Sequence, residues 1–123
     1  MKNFKNLKVW QNGIELVVDI YKKTEDFPRE EIYGLISQIK RSAVSIPSNI
    51  AEGSGRNSDK DFKRFLDVAL GSSFELEIQL IIAQKLNYLD EEDFSDLNKQ
   101  LDEEQKMIIG LQKTLTKYEQ ARS

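Results

Sequence analysis

The stretch from Gln38 to Arg56 constrains the fold more than any other part of the chain. It begins with the apolar spacing of a helix, carries Pro47 where that helix should continue, and ends in a Gly-Ser-Gly turn. Proline lacks an amide hydrogen and its ring crowds the carbonyl four residues earlier, so a helix that passes through it bends. Short polar residues able to bond the freed backbone groups surround it, namely Ser42, Ser45, Ser48 and Asn49. The stretch predicts a helix kinked at Pro47, ending at Gly53 or Gly55 in left-handed geometry.

Apolar residues at alternating spacings of three and four predict helices along the rest of the chain. The first predicted helix runs from about Leu7 to Thr24, and Phe27-Pro28 ends it because the residue before proline avoids helical geometry. One apolar face of this helix consists of Leu7, Trp10, Ile14, Val17, Tyr21 and Thr24. A second apolar set widens the surface and consists of Val9, Gly13, Leu16 and Ile20. The first helix therefore has more apolar surface than a single seam requires.

Three further helices follow, each with a recognisable start. The second begins near Glu30, the third has Ser58 as its N-cap with Asp61 three residues on, and the fourth begins at Asp90. The predicted seam of the second helix is Ile32, Ile36, Ile39, Ala43, Ile46 and Ile50. That of the third is Phe62, Leu66, Ala69, Ser73, Leu76, Leu80 and Ala83. That of the fourth is Phe94, Leu97, Leu101, Ile108, Leu111, Leu115 and Tyr118, with Glu104 as a polar interruption.

These four helices predict one domain over residues 1–123, an all-α antiparallel up-down-up-down four-helix bundle. The third helix has apolar residues on other faces as well, including Phe74, Ile78 and Ile82. Surplus apolar surface on the first and third helices indicates a second interface, and hence a homo-oligomer.

The composition excludes several kinds of site. The chain has no cysteine and no histidine, so thiolate catalysis, serine–histidine triads and the usual transition-metal sites are ruled out. It has no apolar run of a signal peptide and no apolar run long enough to span a membrane. We expect a cytoplasmic protein that is not an enzyme, with no cofactor, no small-molecule substrate and no membrane partner.

Positive charge gathers around the turn between the second and third helices, although the net charge is −3. Residues 40–64 contain three acidic residues and the six cations Lys40, Arg41, Arg56, Lys60, Lys63 and Arg64. These six are the candidate contacts to nucleic-acid phosphates. The alternative interpretation is an ordinary solvated helix end. Residues 90–123 are acidic, with nine Asp/Glu against five Lys/Arg.

Three weaker candidates have ordinary structural explanations. Gly53-Ser54-Gly55-Arg56 could cradle an anion, but it lacks the strand and the Lys-Ser/Thr of a phosphate loop and favours a plain turn. Glu75 and Glu77 are two residues apart, so they lie on different faces of the helix and do not form a catalytic pair. For Glu52 and Glu75 a salt bridge to Arg41 or Arg56 is favoured over a catalytic role. The aromatic residues that could stack bases are Trp10, Tyr21, Tyr33 and Tyr88, with Trp10 and Tyr21 favoured for the core or a subunit interface.

Specific motifs along the chain identify a family. The upstream ones are Leu7-Lys8-Val9-Trp10, Phe27-Pro28, Glu31-Ile32-Tyr33-Gly34-Leu35 and Gln38–Arg56, within which Ser45–Gly53 is the most specific. The downstream ones are Phe62, Phe65-Leu66, Ala69, Gly71-Ser72, Glu75-Leu76-Glu77 and Gln79-Leu80. With these residues the chain resembles the 23S rRNA-intervening-sequence proteins from about Phe4 to Tyr118. Ser42 departs from the alanine usual at its position.

The resemblance has consequences for assembly and partners. Members of this family are small bacterial four-helix-bundle proteins, some encoded in segments that interrupt large-subunit rRNA genes. The chain is also similar to the accessory protein of diversity-generating retroelements, a pentameric barrel that engages a reverse transcriptase and nucleic acid. The resemblance implies a ring-like homo-oligomer, a pentamer, with an association with RNA or a nucleic-acid-handling protein, and it implies no catalytic residues. The alternative is a purely structural self-assembling protein or protein–protein scaffold.

Overall fold

The computed structural model describes residues 3–122, which form four α-helices and two short 3-10 turns without a β-strand among them. The helices are α1 (Lys8–Lys23), α2 (Leu35–Ser54), α3 (Asp59–Lys85) and α4 (Glu91–Arg122). The 3-10 turns are Phe4–Asn6, before α1, and Arg29–Glu31, between α1 and α2. The predicted all-α class with four helices is confirmed.

All four helices supply residues to one apolar core. The helices α2 and α4 each pack against both α1 and α3. Side chains with almost no exposed surface include Leu16 and Ile20 of α1, Ile39 and Ile46 of α2, Leu66 and Leu76 of α3, and Leu101 and Ile108 of α4. The predicted α3 seam is buried along its whole length, from Phe62 to Ala83.

The core face of α1 differs from the face that begins with Leu7 and Trp10. Its buried residues are Val9, Gly13, Leu16 and Ile20, which form the second of the two apolar sets in the sequence of this helix. Ile14 and Tyr21 are instead 36% and 43% exposed. Both sets have helical spacing, so only the packing against α2 and α4 decides which one faces inward.

The connection from α1 to α2 also departs from expectation, because α2 begins at Leu35 and not near Glu30. Gly34 interrupts the helical backbone with φ −108° and ψ −111°. Oε1 of Glu31 accepts a hydrogen bond from the Leu35 amide at 3.2 Å, and Oε2 accepts one from the Tyr88 hydroxyl at 3.1 Å. That bond to a carboxylate is the main reason why the pKa of Tyr88 is raised. Glu31 therefore fixes the start of α2 and joins it to the turn that follows α3. Ile32, which the sequence places on the α2 seam, lies exposed outside the helix.

Helix α2 continues through Pro47 and ends at Ser54. Gly55 follows with φ −87°, so the left-handed geometry predicted for the end of this helix is wrong. The one described residue with positive φ is Asn87, at 64°, after α3. Gly53 has a different role, because a Cβ atom there would lie 2.6 Å from Cβ of Phe65. The glycine is needed for close approach of α2 and α3 and not for a special backbone angle.

Candidate nucleic-acid interface

The turn between α2 and α3 is held by its own backbone and by a cap. The Gly55 and Arg56 amides donate hydrogen bonds to the carbonyls of Glu52 and Gly53, at 3.2 and 3.1 Å. Ser58 caps α3 as predicted, since its hydroxyl accepts a hydrogen bond from the Asp61 amide at 3.1 Å. The Gly55 and Arg56 amides are thus engaged within the chain, which favours the plain interhelical turn over the anion cradle.

The structure divides the six candidate cations into two groups. Arg56, Lys60, Lys63 and Arg64 lie together in the turn and the first two turns of α3. Lys40 and Arg41 lie about 15 residues earlier in α2, which is roughly 23 Å along a helix axis. The Lys40 ammonium sits 4.5 Å from the centre of the Tyr21 ring on α1. The four cations that lie together, Arg56, Lys60, Lys63 and Arg64, are called the turn cluster.

The two arginines of the turn cluster each pair with a nearby carboxylate, which lies at the end of α2 for Arg56 and at the start of α3 for Arg64. Arg56 pairs with Glu52 at 3.2 Å, as favoured by the sequence, and lies 4.6 Å from the centre of the Phe65 ring. Arg64 pairs with Asp61 at 3.3 Å. Exposed pairs of this kind contribute about 0–1 kcal/mol, so a phosphate can replace the carboxylate at little cost. These two guanidinium groups remain available to a polyanion.

The two lysines of the turn cluster differ from one another. The ammonium of Lys63 lies 2.8 Å from the Glu119 carboxylate and donates a hydrogen bond to the Thr116 hydroxyl at 3.3 Å, and its side chain is only 25% exposed. Lys60 is exposed and takes part in none of the ion pairs found among residues 3–122. Lys63 therefore connects α3 to α4, whereas Lys60 is the freer cation.

The end of α4 adds a cation that the sequence did not single out. Arg122 pairs with Asp59 at 2.9 Å, and both line a shallow groove of about 370 Å³ with Asn57, Ser58, Lys60 and Glu119. Within α4 most of the acidity lies in the first half: residues 91–104 have seven acidic residues and one basic, and residues 105–122 have one acidic and four basic. The basic half of α4 lies beside the turn cluster because Lys63 and Asp59 contact it. The order of charged residues along the last helix indicates this basic half, whereas the summed charge of residues 90–123 does not show it.

The candidate acids on α3 are separated. Oε1 of Glu77 accepts a hydrogen bond from Gln105 of α4 at 3.0 Å. Glu75 lines a pocket of about 190 Å³ on the side of α2, together with Arg41, Ser42, Ser45 and Ser72. The two carboxylates thus lie on different faces, as their spacing predicts. No group of three or more acidic residues that could hold a metal ion occurs among the residues described.

Apolar residues form an exposed stripe on α3, on the side opposite its core seam. Phe74, Ile78 and Ile82 follow one another at intervals of four and are 48%, 58% and 42% exposed. A Cβ added at Gly71, on the same side, would meet nothing within 4 Å. On α1 a second stripe consists of Ile14, Val18 and Tyr21, which are 36–46% exposed. The surplus apolar surface predicted for both helices is present in this chain.

The aromatic candidates occupy different environments. Trp10 packs partly buried against the core and contacts Phe4 edge to face, with ring centres 5.1 Å apart. Tyr88 is held by Glu31 and by a contact to the Phe27 ring. Tyr33 is 96% exposed. In the part of the chain described, no helix is long and apolar enough to cross a membrane.

Comparisons with known proteins assign the chain to a family. The chain matches the 23S rRNA-intervening sequence protein family over residues 5–110. Among solved structures it is similar to a protein of unknown function from the S23 ribosomal protein family of Bacteroides thetaiotaomicron VPI-5482, with a TM-score of 0.79 and 28% identity. That similarity covers 85% of this chain and 95% of the other. No curated protein matches. The chain belongs to the family of 23S rRNA-intervening sequence proteins.

Proposed function

We propose that the protein is a non-catalytic, self-assembling adaptor that binds RNA, alone or with an RNA-handling enzyme, through the end of the molecule where α2 meets α3. The observation that carries this proposal is the joining of the turn cluster to the basic half of α4. Lys60 and Arg122 line one groove there, and the carboxylate partners of Arg56 and Arg64 are exposed and exchangeable. Phosphates are bound by such clusters of cations, whatever the net charge of the whole chain. We place the protein in the cytoplasm, with no cofactor and no small-molecule substrate.

The fold that presents this end is, in this proposal, an antiparallel up-down-up-down bundle. The contacts between α3 and α4 support this arrangement, namely Asp59 with Arg122, Asp67 with Gln112 and Glu77 with Gln105. Residue numbers rise along α3 as those of the contacted residues fall along α4, as expected for antiparallel helices. Between α1 and α4 the pairs Asn12–Glu104, Asp19–Gln100 and Lys23–Asp96 follow the same order. A bend of α2 at Pro47 is proposed from the missing amide hydrogen of proline.

A ring-like homo-oligomer is proposed from the two apolar stripes. Because α2 and α4 each pack against both α1 and α3, the helices α1 and α3 occupy opposite corners and their stripes face different directions. A two-fold contact would bury one stripe and leave the other exposed. A head-to-tail contact between the stripe of α1 and that of α3 buries both and closes into a ring when the rotation allows. The number five follows from the resemblance to the pentameric accessory protein.

A salt titration tests the RNA proposal. The affinity for a fluorescein-labelled single-stranded RNA, measured by anisotropy from 50 to 300 mM KCl, should fall linearly on a log–log plot. Replacing Arg56, Lys60 and Arg122 with alanine should weaken binding and reduce the slope by up to about 2 per protomer. The matched control replaces Lys22, Arg29 and Lys85, three exposed cations away from the turn, and should change neither value much. Equal effects of the two triple variants, or no binding at 50 mM salt, would contradict the proposed interface.

The second candidate function is self-assembly alone, as a structural scaffold. The observation that favours it is the exposed stripe of α3, with Ile78 more than half exposed in the single chain. Light scattering after size exclusion gives the mass of the particle, and the ratio of absorbance at 260 and 280 nm shows whether nucleic acid accompanies it. An oligomer that binds no RNA at any salt concentration would support the scaffold and exclude the adaptor.

A further inference from the structure

A single carboxyl group lies in the core where α1, α2 and α4 meet. Glu104 occupies the seam of α4 between Leu101 and Ile108 and has no exposed surface. The side-chain amide of Asn12 on α1 donates a hydrogen bond to its Oε1 at 3.0 Å. Its other oxygen, Oε2, is buried without a hydrogen-bond partner. Such a group is costly in the core when ionised, and much less so when neutral.

Among the residues described, no hydrogen-bond donor reaches the free oxygen, which lies against Gly13. A Cβ atom at Gly13 would lie 2.8 Å from Oε2 and 3.5 Å from Cβ of Pro47. The absence of a side chain at Gly13 is therefore what admits the carboxyl group against α1. Pro47 has no amide hydrogen, so α2 offers no backbone donor at this residue. The three residues Gly13, Pro47 and Glu104 form one closely packed junction.

The charges around Glu104 do not compensate an ionised carboxylate. On α4 its neighbour Glu103 is a like charge that raises its pKa, and Lys106 is paired with Asp102. On α3 the ionisable group near this level is Glu77, which binds Gln105. On α1 the charged residues flanking Asn12 and Gly13 are Lys8 and Glu15, both exposed, and α2 presents the Pro47 ring. No ion pair among the residues described includes Glu104.

Burial raises the pKa of Glu104 from 4.5 to about 7, and the hydrogen bond from Asn12 only partly opposes this. The chain contains no histidine and no cysteine, the residue types that ordinarily titrate near neutral pH. Apart from Glu104 and the terminal amino group, few groups of this chain are thus expected to change their charge between pH 5 and 8.

We propose that Glu104 is a proton-operated latch between α4 and α1, closed when the carboxyl group is neutral and loosened when it ionises. The folded protein holds this proton more tightly than the unfolded chain does. Stability from this group is therefore complete below the unfolded value of 4.5, declines as pH rises through about 7, and is constant above that. The shift corresponds to an increase in the unfolding equilibrium constant of up to roughly 300-fold between the two limits.

Denaturation at a series of pH values tests the latch. Urea unfolding is followed by circular dichroism from pH 5 to 8.5 at fixed protein concentration and ionic strength, for the wild type, Glu104→Gln and Glu103→Gln. Glutamine keeps the shape and can still accept from Asn12 but cannot ionise. We expect Glu104→Gln to lose most of the pH dependence, and the exposed neighbour Glu103→Gln to keep most of it. Equal pH dependence in Glu104→Gln and the wild type would overturn the proposal.

Two further measurements separate a latch from a merely structural residue. A carboxyl-carbon NMR titration of the wild type should show a pKa for Glu104 well above 4.5. This titration needs no variant, so it remains decisive if Glu104→Gln folds poorly. A Glu104 pKa near the ordinary value of 4.5 would overturn the proposal. Amide exchange, corrected for the intrinsic effect of pH, should accelerate selectively in α1 and in α4 near Glu104. Uniform or absent acceleration would show that ionisation does not loosen this contact.

Discussion

The ammonium group of Lys63 lies 2.8 Å from the carboxylate of Glu119, and this contact ties the start of α3 to the last turns of α4. Lys63 is thus both a candidate RNA contact and a structural link. Lys60, one turn earlier on the same helix, is exposed and forms none of the described ion pairs. The two lysines provide a matched pair that separates binding from folding.

Lys63→Ala should reduce stability by about 0.5–1 kcal/mol, because it removes a partly buried ion pair and the bond to Thr116. Lys60→Ala should leave stability unchanged within about 0.5 kcal/mol. Urea denaturation gives both values, and RNA anisotropy at 50 mM salt gives the loss of affinity. If Lys60→Ala weakens RNA binding no more than Lys22→Ala does, Lys60 lies outside the interface.

Gly53→Ala should destabilise the fold by about 1–3 kcal/mol, because the new Cβ would lie 2.6 Å from Cβ of Phe65 and 2.9 Å from the Phe62 ring. Gly110→Ala is the control: its Cβ would meet nothing within 4 Å in the interior of α4. That substitution should stabilise the protein by about 0.5–1 kcal/mol, since alanine favours the helix. Thermal or urea unfolding would contradict this account of the α2–α3 contact if the two variants changed stability in the same direction.

Sequence periodicity predicts the four helices because helical spacing is a local property. The buried seam of α3, the Ser58 cap and the pairing of Glu52 with Arg56 all depend on residues a few positions apart. The inward face of α1 could not be predicted in the same way. Its two apolar sets have similar spacing, and the choice between them depends on partners far along the chain.

The candidate site was predictable only in part for the same reason. The turn cluster is local, whereas Arg122 reaches it because α4 lies against α3. The separation of Lys40 and Arg41 from the cluster is also local, because Arg41 and Arg56 are about 15 residues apart along the chain and α2 is a continuous helix. Glu104 stands in the sequence as a polar interruption of an apolar seam. Whether such a residue reaches solvent or remains buried depends on Asn12 and Gly13, about 90 residues earlier.

Ile78→Lys should dissociate the proposed oligomer, because a charge in the middle of the α3 stripe would be buried without a partner in a subunit contact. The side chain points to solvent in the single chain, so the helical content should be unchanged. Ile109→Lys is the control, since Ile109 is 37% exposed on α4, outside both stripes. Light scattering after size exclusion measures the mass of each variant. An unchanged mass for Ile78→Lys would remove the α3 stripe from the interface.

Asn12→Leu should make stability depend more steeply on pH. The Asn12 amide donates to Glu104 and favours its ionised form, so its loss raises the pKa of Glu104 further above 4.5. The cost should be larger at pH 8, where a hydrogen bond to a charged acceptor contributes about 1.5–3 kcal/mol, than at pH 5, where the acceptor is neutral and the contribution is about 1 kcal/mol. Urea denaturation of Asn12→Leu at both pH values measures the difference, with the double variant Asn12→Leu, Glu104→Gln as the control. In that double variant the extra loss at pH 8 should disappear, because no charge remains to be stabilised. An equal cost of Asn12→Leu at pH 5 and pH 8 in the otherwise wild-type chain would mean that Glu104 does not change its charge in this range.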